Sequence, residues 1–195
     1  MRRGLDICYF NAQSSKYNLD EFEKVLARTN PSLVYIETIS NPMLIVADVT
    51  AIIKIAVKFG SKVIVDNTFA TPWLYKPLEE GADLVIHSAT KYFSGHGNLT
   101  AGVICGNDKV LMHEAIEYRK FVGHMLSPDD AYRLQTQIQS FKLRFERQCS
   151  NALNLAGFLE NKPVIKKVWY PGLKSHTTHD TAEKLFKGKG YGGMI

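Results

Sequence analysis

Cysteine is scarce: Cys8, Cys105 and Cys149 are the full set, odd in number and without metal-ligand spacing. That argues against a disulfide framework and a structural metal site, and predicts three reduced core residues. No apolar run approaches the roughly 18 residues of a membrane span. The start, MRRGLDICYF, lacks the apolar centre of a signal peptide, so the chain is expected to be cytoplasmic and away from membranes. Bias in Gly, Pro or Ser is absent, as are internal repeats, and 45% hydrophobic with 22% charged residues describes a folded globular chain.

Long basic runs are missing too. The net charge is +5, yet residues 1–141 hold 14 basic and 15 acidic side chains, and the excess falls in the last quarter. There Lys142, Arg144, Arg147, Lys162, Lys166, Lys167 and Lys174 are dispersed, with no run longer than two. A solvated basic face is expected, not a nucleic-acid surface.

What is present is an alternation of short apolar segments with helical periods, the pattern of a parallel α/β sheet. Strands are predicted at Ile7 to Phe10, Leu33 to Ile36, Val63 to Val65, Leu84 to Ile86 and Ala101 to Cys105. Asn18 is placed to cap a helix carrying Phe22, Val25 and Leu26, which Asn30-Pro31 stops. Asp48 caps a crossover helix with Val49, Ile52, Ile53, Ala56 and Val57 on one stripe, ended by Gly60. A further helix runs from Leu111 to Phe121. Ser127 and Pro128 then open an unbroken helix of roughly thirty residues, ~45 Å at 1.5 Å per residue, long enough to bridge two domains. A strand from Val164 to Trp169 and a short helix near Thr181 to Phe186 follow, and Met194-Ile195 resembles the start of another strand. His176 and His179 have no third ligand nearby and read as loop residues, His113 and His124 as surface residues, and Trp73 and Trp169 as packing residues.

Ligands of open parallel sheets sit at the carboxyl ends of the strands. LVYIE ends in Glu37, KVIVD in Asp66 and LVIHS in Ser88, the last leading into Ala89-Thr90-Lys91. A carboxylate finishing a buried strand is expensive to desolvate without a cation or donors, so something positive is expected beside Asp66. A lysine in a crowded, partly dry loop loses its proton more readily, and its neutral amine can form a Schiff base with a carbonyl. A Schiff-base lysine, hydroxyls for a phosphate and a carboxylate for a protonated ring nitrogen are the requirements of pyridoxal phosphate. A cofactor-free Schiff-base aldolase would account for Lys91 but leave Asp66 without its cationic partner.

The strings Val65-Asp66-Asn67-Thr68-Phe69-Ala70-Thr71-Pro72, His87-Ser88-Ala89-Thr90-Lys91-Tyr92 and Gly95-His96 resemble the Cys/Met-metabolism family of pyridoxal-phosphate enzymes, which includes cystathionine γ-synthase, cystathionine γ-lyase, cystathionine β-lyase and methionine γ-lyase. Glu37-Thr38, Ser40-Asn41-Pro42, Leu143-Arg144-Phe145-Glu146-Arg147, Tyr170-Pro171-Gly172-Leu173 and Gly192-Gly193-Met194 extend the resemblance over nearly the whole chain. It implies the aspartate-aminotransferase-like fold (fold type I), with residues 1–141 in the large cofactor-binding domain and 142–195 the linking helix and start of a smaller α/β domain. Lys91 would be the Schiff-base lysine and the base acting at Cα, and Asp66 the partner of the ring nitrogen. Ser88 and Thr90 would bind the phosphate, Asn41 the ring hydroxyl, with Glu37 and Thr68 in support. The implied substrate is a small sulfur amino acid, and the implied full-length form a homo-oligomer, a dimer of dimers.

The stretch around Ser94-Gly95-His96-Gly97 and Leu126-Ser127-Pro128 is most similar to the γ-lyases, with cystathionine γ-synthase second and a non-catalytic remnant third. Family members extend well beyond this chain at both ends. They supply there a ring-stacking tyrosine, phosphate-binding amides, residues from a neighbouring subunit and an arginine for the substrate carboxylate. These 195 residues alone are therefore expected to show no appreciable turnover.

Overall fold

The computed structural model describes residues 4–12 and 16–195. Its centre is a four-stranded sheet in the order β1 (Leu33–Glu37), β2 (Lys62–Asp66), β3 (Leu84–Ser88), β4 (Gly102–Gly106). The first three strands are parallel and β4 is antiparallel to β3, so the fold is α/β with a mostly parallel, partial sheet. An antiparallel neighbour needs no crossover helix. The chain between β3 and β4 can therefore be a loop, and Lys91 lies in it.

Two capped helices cover one face. In α1 (Leu19–Thr29) the Asn18 side chain accepts from Glu21 N, and Asn30 closes the helix in the left-handed region at φ 41°. In α2 (Val49–Lys58) Asp48 accepts from Ala51 N, and Val49, Ile52, Ile53 and Ala56 are buried at helical spacing. That stripe meets Val34, Val63, Val65 and Val85, alternate residues pointing to the same side of the sheet. Their neighbours point the other way, where Leu33 is 47%, Tyr35 54% and Ile104 49% exposed and Ile64 and Ile86 are half-buried.

After α3 (Thr71–Leu74) and a 3-10 turn at Pro77–Glu80, β3 begins. Beyond β4, α4 (Lys109–Val122) and α5 (Pro128–Gln137) have no fully buried residue. Ser127 does cap α5, accepting from Asp130 N. The predicted unbroken helix is interrupted by a 3-10 turn, Ile138–Ser140, before α6 (Phe141–Glu160). The Gln137 carbonyl accepts from Ser140 Oγ at 3.2 Å and Arg144 Nη2 at 3.1 Å, and this side-chain capture accompanies the hitch. Phe145 and Cys149 of α6 and Ala182, Leu185 and Phe186 of α7 (His179–Phe186) join the main core under the sheet.

Two predicted strands are absent. Residues 7–10 are irregular, with Phe10 against Phe22 at 5.3 Å between ring centroids, and residues 164–169 are irregular with Val164 exposed. A strand exists only where another pairs with it, and among the described residues neither segment has a partner. Residues 190–195 form no strand either. All three cysteines are free, but Cys8 is exposed and Cys105 partly so, leaving Cys149 as the one in the core. No group of His, Cys, Asp and Glu among the described residues suits a metal, and no described helix is long and apolar enough to cross a membrane.

Candidate active site

Parallel pairing brings the strand ends to one edge. Glu37 is in register with Asp66, and Asp66 with Ile86, two residues before Ser88. The three side chains fall on the same face of the sheet, the one opposite α1 and α2. Asp66 is held at both oxygens: Thr68 N donates to Oδ1 at 2.9 Å and the Tyr35 hydroxyl to Oδ2 at 3.1 Å. Thr68 also accepts from Ser88 N at 2.8 Å, so this one threonine ties the end of β2 to the end of β3. Among the described residues Asp66 has no cationic partner.

Glu37 accepts from Asn41 N at 3.2 Å, which folds the Ser40-Asn41-Pro42 loop back over the end of β1. That loop is closed by Ser40 N donating to Ile45 O and by Ser40 Oγ accepting from Ile45 N, each at 3.0 Å. Asn41 itself is exposed.

The Lys91 loop is tightly wound. Lys91 N donates to Ser88 O at 3.1 Å, Ser94 N to Ala89 O at 2.9 Å and Gly95 N to Lys91 O at 2.7 Å. Thr90 Oγ1 accepts from Ala101 N at 2.9 Å, pinning the loop to the entry of β4. Beneath it Ala89, Phe93, Leu99 and Ala101 form a small buried cluster against which Leu134 and Phe141 pack. Lys91 itself is exposed.

Arg144 reaches into this loop from α6. Its Nη1 donates to Tyr92 O at 2.9 Å and its Nη2 to Phe93 O at 3.0 Å, while Nε donates to Ser140 Oγ at 2.9 Å. The guanidinium lies so close to Gly95 (φ +67°) that a Cβ there would come within 1.8 Å of Nη1. Burial draws the Arg144 guanidinium below its ordinary pKa. Tyr92 points inward, its ring edge-on to Phe145 at 4.7 Å. Its hydroxyl is buried near the Gly193 backbone without a partner of normal geometry, and burial pushes it up to about 12.

The structure thus links Asp66, Thr68, Ser88 and the Lys91 loop by direct hydrogen bonds, sets Glu37 beside Asp66, and joins Asn41 to Glu37. Two further residues contribute, Tyr35 and Arg144. Tyr35 was legible in principle, since strand alternation puts it on the face of Glu37 and Asp66. Arg144 was not, because nothing local connects a residue of α6 with the carbonyls of a loop some fifty positions earlier.

Residues 3–195 match the sequence profile of the Cys/Met metabolism PLP-dependent enzymes. An L-methionine gamma-lyase from Fusobacterium nucleatum subsp. polymorphum is 39% identical over 196 residues, covering 100% of this chain and 48% of the relative. A cystathionine beta-lyase from Lactococcus lactis subsp. cremoris is 42% identical over 178 residues, 91% of this chain and 46% of the relative. Among solved structures, cystathionine gamma synthase from Xanthomonas oryzae pv. oryzae, in complex with cystathionine, superposes with a TM-score of 0.85 at 34% identity, covering 89% of this chain and 44% of that one. The chain spans about half the length of the curated relatives it matches.

Proposed function

The chain belongs to the Cys/Met-metabolism family of pyridoxal-phosphate enzymes, and on that premise we propose that it acts on sulfur amino acids as part of a carbon–sulfur γ-lyase. The observation that carries the reading is the shared strand-end edge: carboxylate, hydroxyls and lysine loop joined through Thr68 and Ser88. This donor set fits pyridoxal phosphate. Lys91 would hold it through its amine, Asp66 through the ring nitrogen, Ser88 and Thr90 through the phosphate, and Asn41 through the ring hydroxyl. Glu37 supports Asn41, and Thr68 supports Asp66. When bound, the cofactor supplies an electron sink for the charge left on a substrate's Cα.

The protein's own residues do the rest. Asp66, each of whose oxygens takes one donor, is held in place as the acceptor that a protonated ring nitrogen would require. Lys91 Nζ, presented on a loop anchored at both ends, is the group that takes up the Cα proton. Such work depends on orientation, and a displacement of about 1 Å can lower the rate 10²-fold. Here Asp66 and Ser88 are partly exposed, and a site holding only these groups does not fix a substrate. We therefore propose that the 195-residue chain by itself has no appreciable turnover.

The likeness to a synthase structure favours γ-replacement as the second reading. Borohydride trapping with pyridoxal phosphate, followed by peptide mapping, tests the site: label is expected on Lys91, and label elsewhere overturns the assignment. In a form carrying the complete site, methionine, cystathionine and homocysteine are expected to yield keto acid, ammonia and thiol. Cystathionine formation from an activated homoserine ester and cysteine, with little keto acid, would establish the synthase instead.

A further inference from the structure

Tyr35 is an odd residue for its position. It lies on the open face of β1, 54% exposed, outside the apolar clusters that hold the fold together. Packing there asks for no hydroxyl, and a phenylalanine would cover the sheet as well. Yet the hydroxyl is engaged: it donates to Asp66 Oδ2 at 3.1 Å. Burial of the ring, followed by the charge of Asp66, raises the phenol above its ordinary pKa, so it remains a donor. The register explains the reach, since Tyr35 pairs with Ile64, one step of the pleat before Asp66.

Asp66 therefore has two anchors on two different oxygens. Thr68 N, on Oδ1, comes from the turn that directly follows β2 and is rigid backbone. One hydrogen bond leaves a carboxylate free to swing about its terminal torsion, which is a broad and soft one. A second bond at the other oxygen, from a neighbouring strand, removes that freedom, and each oxygen retains a lone pair for a further donor.

We propose that Tyr35 is a positioning residue that sets the plane of the Asp66 carboxylate for the protonated ring nitrogen of pyridoxal phosphate. The proposal rests on the reading of Asp66 as the ring-nitrogen partner, and the test separates the two. Affinities of the chain and of Tyr35→Phe are measured by equilibrium dialysis for pyridoxal phosphate and for its analogue with the ring nitrogen replaced by CH. The parent chain is expected to prefer pyridoxal phosphate. Tyr35→Phe is expected to bind it roughly threefold to tenfold more weakly, the scale of one ordinary hydrogen bond. Binding of the analogue, which offers Asp66 no N–H, is expected to be unchanged, as is the unfolding temperature. A parent chain that binds both compounds equally, or neither, overturns the reading of Asp66 and the proposal with it. A parent chain that discriminates, with a variant that discriminates as well or loses both ligands alike, overturns the role of Tyr35 alone.

Discussion

The two faces of the sheet are built from the same short strands and live in opposite surroundings. On the covered face Val34, Val63, Val65 and Val85 meet α1 and α2 and are removed from water. On the open face Leu33, Tyr35 and Ile104 stay about half in solvent, in the same rows as Glu37, Asp66 and Ser88. Strand alternation thus divides the labour within single strands: in β2, Val63 and Val65 hold the helices while Asp66, one residue on, carries a charge. A parallel sheet is ordinarily covered on both sides, and among the described residues this face lacks the buried helical stripe that covers the other. It is also where every strand-end group of the candidate site sits.

The sharpest way to break that comparison is to put a charge on each face. Val65→Asp buries an unpaired carboxylate beneath α2 and is expected to destabilise the fold by more than about 4 kcal/mol, leaving little folded protein. Ile104→Asp, on the open face, is expected to change stability by less than about 1 kcal/mol. Urea unfolding followed by far-UV circular dichroism distinguishes them. Comparable losses would mean that the open face is as critical to the fold as the covered one.

The Lys91 loop joins β3 to β4, and its glycines offer the next largest effect. Gly95 and Gly97 both have positive φ, +67° and +65°, so alanine is strained at either. Only at Gly95 does the new Cβ collide with Arg144; at Gly97 nothing lies within 4 Å. Gly97→Ala is expected to lose about 1 kcal/mol from backbone strain alone. Gly95→Ala also displaces a guanidinium from two partly buried carbonyls and is expected to lose about 2–3 kcal/mol. The same unfolding experiment reads both, and equal losses would remove Arg144 from the account of the loop.

Much of this arrangement was legible in advance, for identifiable reasons. Strands ending in Glu37, Asp66 and Ser88 stood out because a buried parallel strand is a short apolar run with a polar stop. The caps at Asn18, Asp48 and Ser127 were readable because capping is local chemistry. What failed was non-local. Segments 7–10 and 164–169 have strand-like residues, but among the described residues no neighbour pairs with them. The break between α5 and α6 depends on side chains capturing the Gln137 carbonyl, which no periodicity reveals. Cys8 looked like a core residue from its apolar neighbours and is exposed, because its segment never joins the sheet.

A milder change sharpens the same contrast. Leu33→Lys with Ile104→Lys makes the open face charged without touching α1 or α2, and each is expected to alter stability by less than about 0.5 kcal/mol. Apolar surface on a sheet with free edges promotes self-association. The double variant is therefore expected to scatter less light than the parent at equal concentration. Unchanged scattering would show that association proceeds through another surface.

The smallest expected effect comes from a titrating group on the covered face. His87 is buried against Phe93, ring centroids 4.9 Å apart, with Nδ1 unpartnered. Burial lowers its pKa below the usual 6.5, while the charge of Asp66 and the backbone at Asn67 oppose the shift. Because the folded value lies below the unfolded one, the unfolded chain binds more protons as pH falls. Stability is then complete above about pH 6.5 and declines as pH drops through the folded value. His176, also lowered chiefly by burial, adds a slope of the same sign. His87→Phe retains a ring against Phe93 and removes one of the two slopes. Urea midpoints measured across this acidic range are expected to fall less steeply with acid in the variant than in the parent. A parent chain that gains stability on acidification through that window, or a variant with the parent's slope, would show that His87 is not held neutral by the covered face.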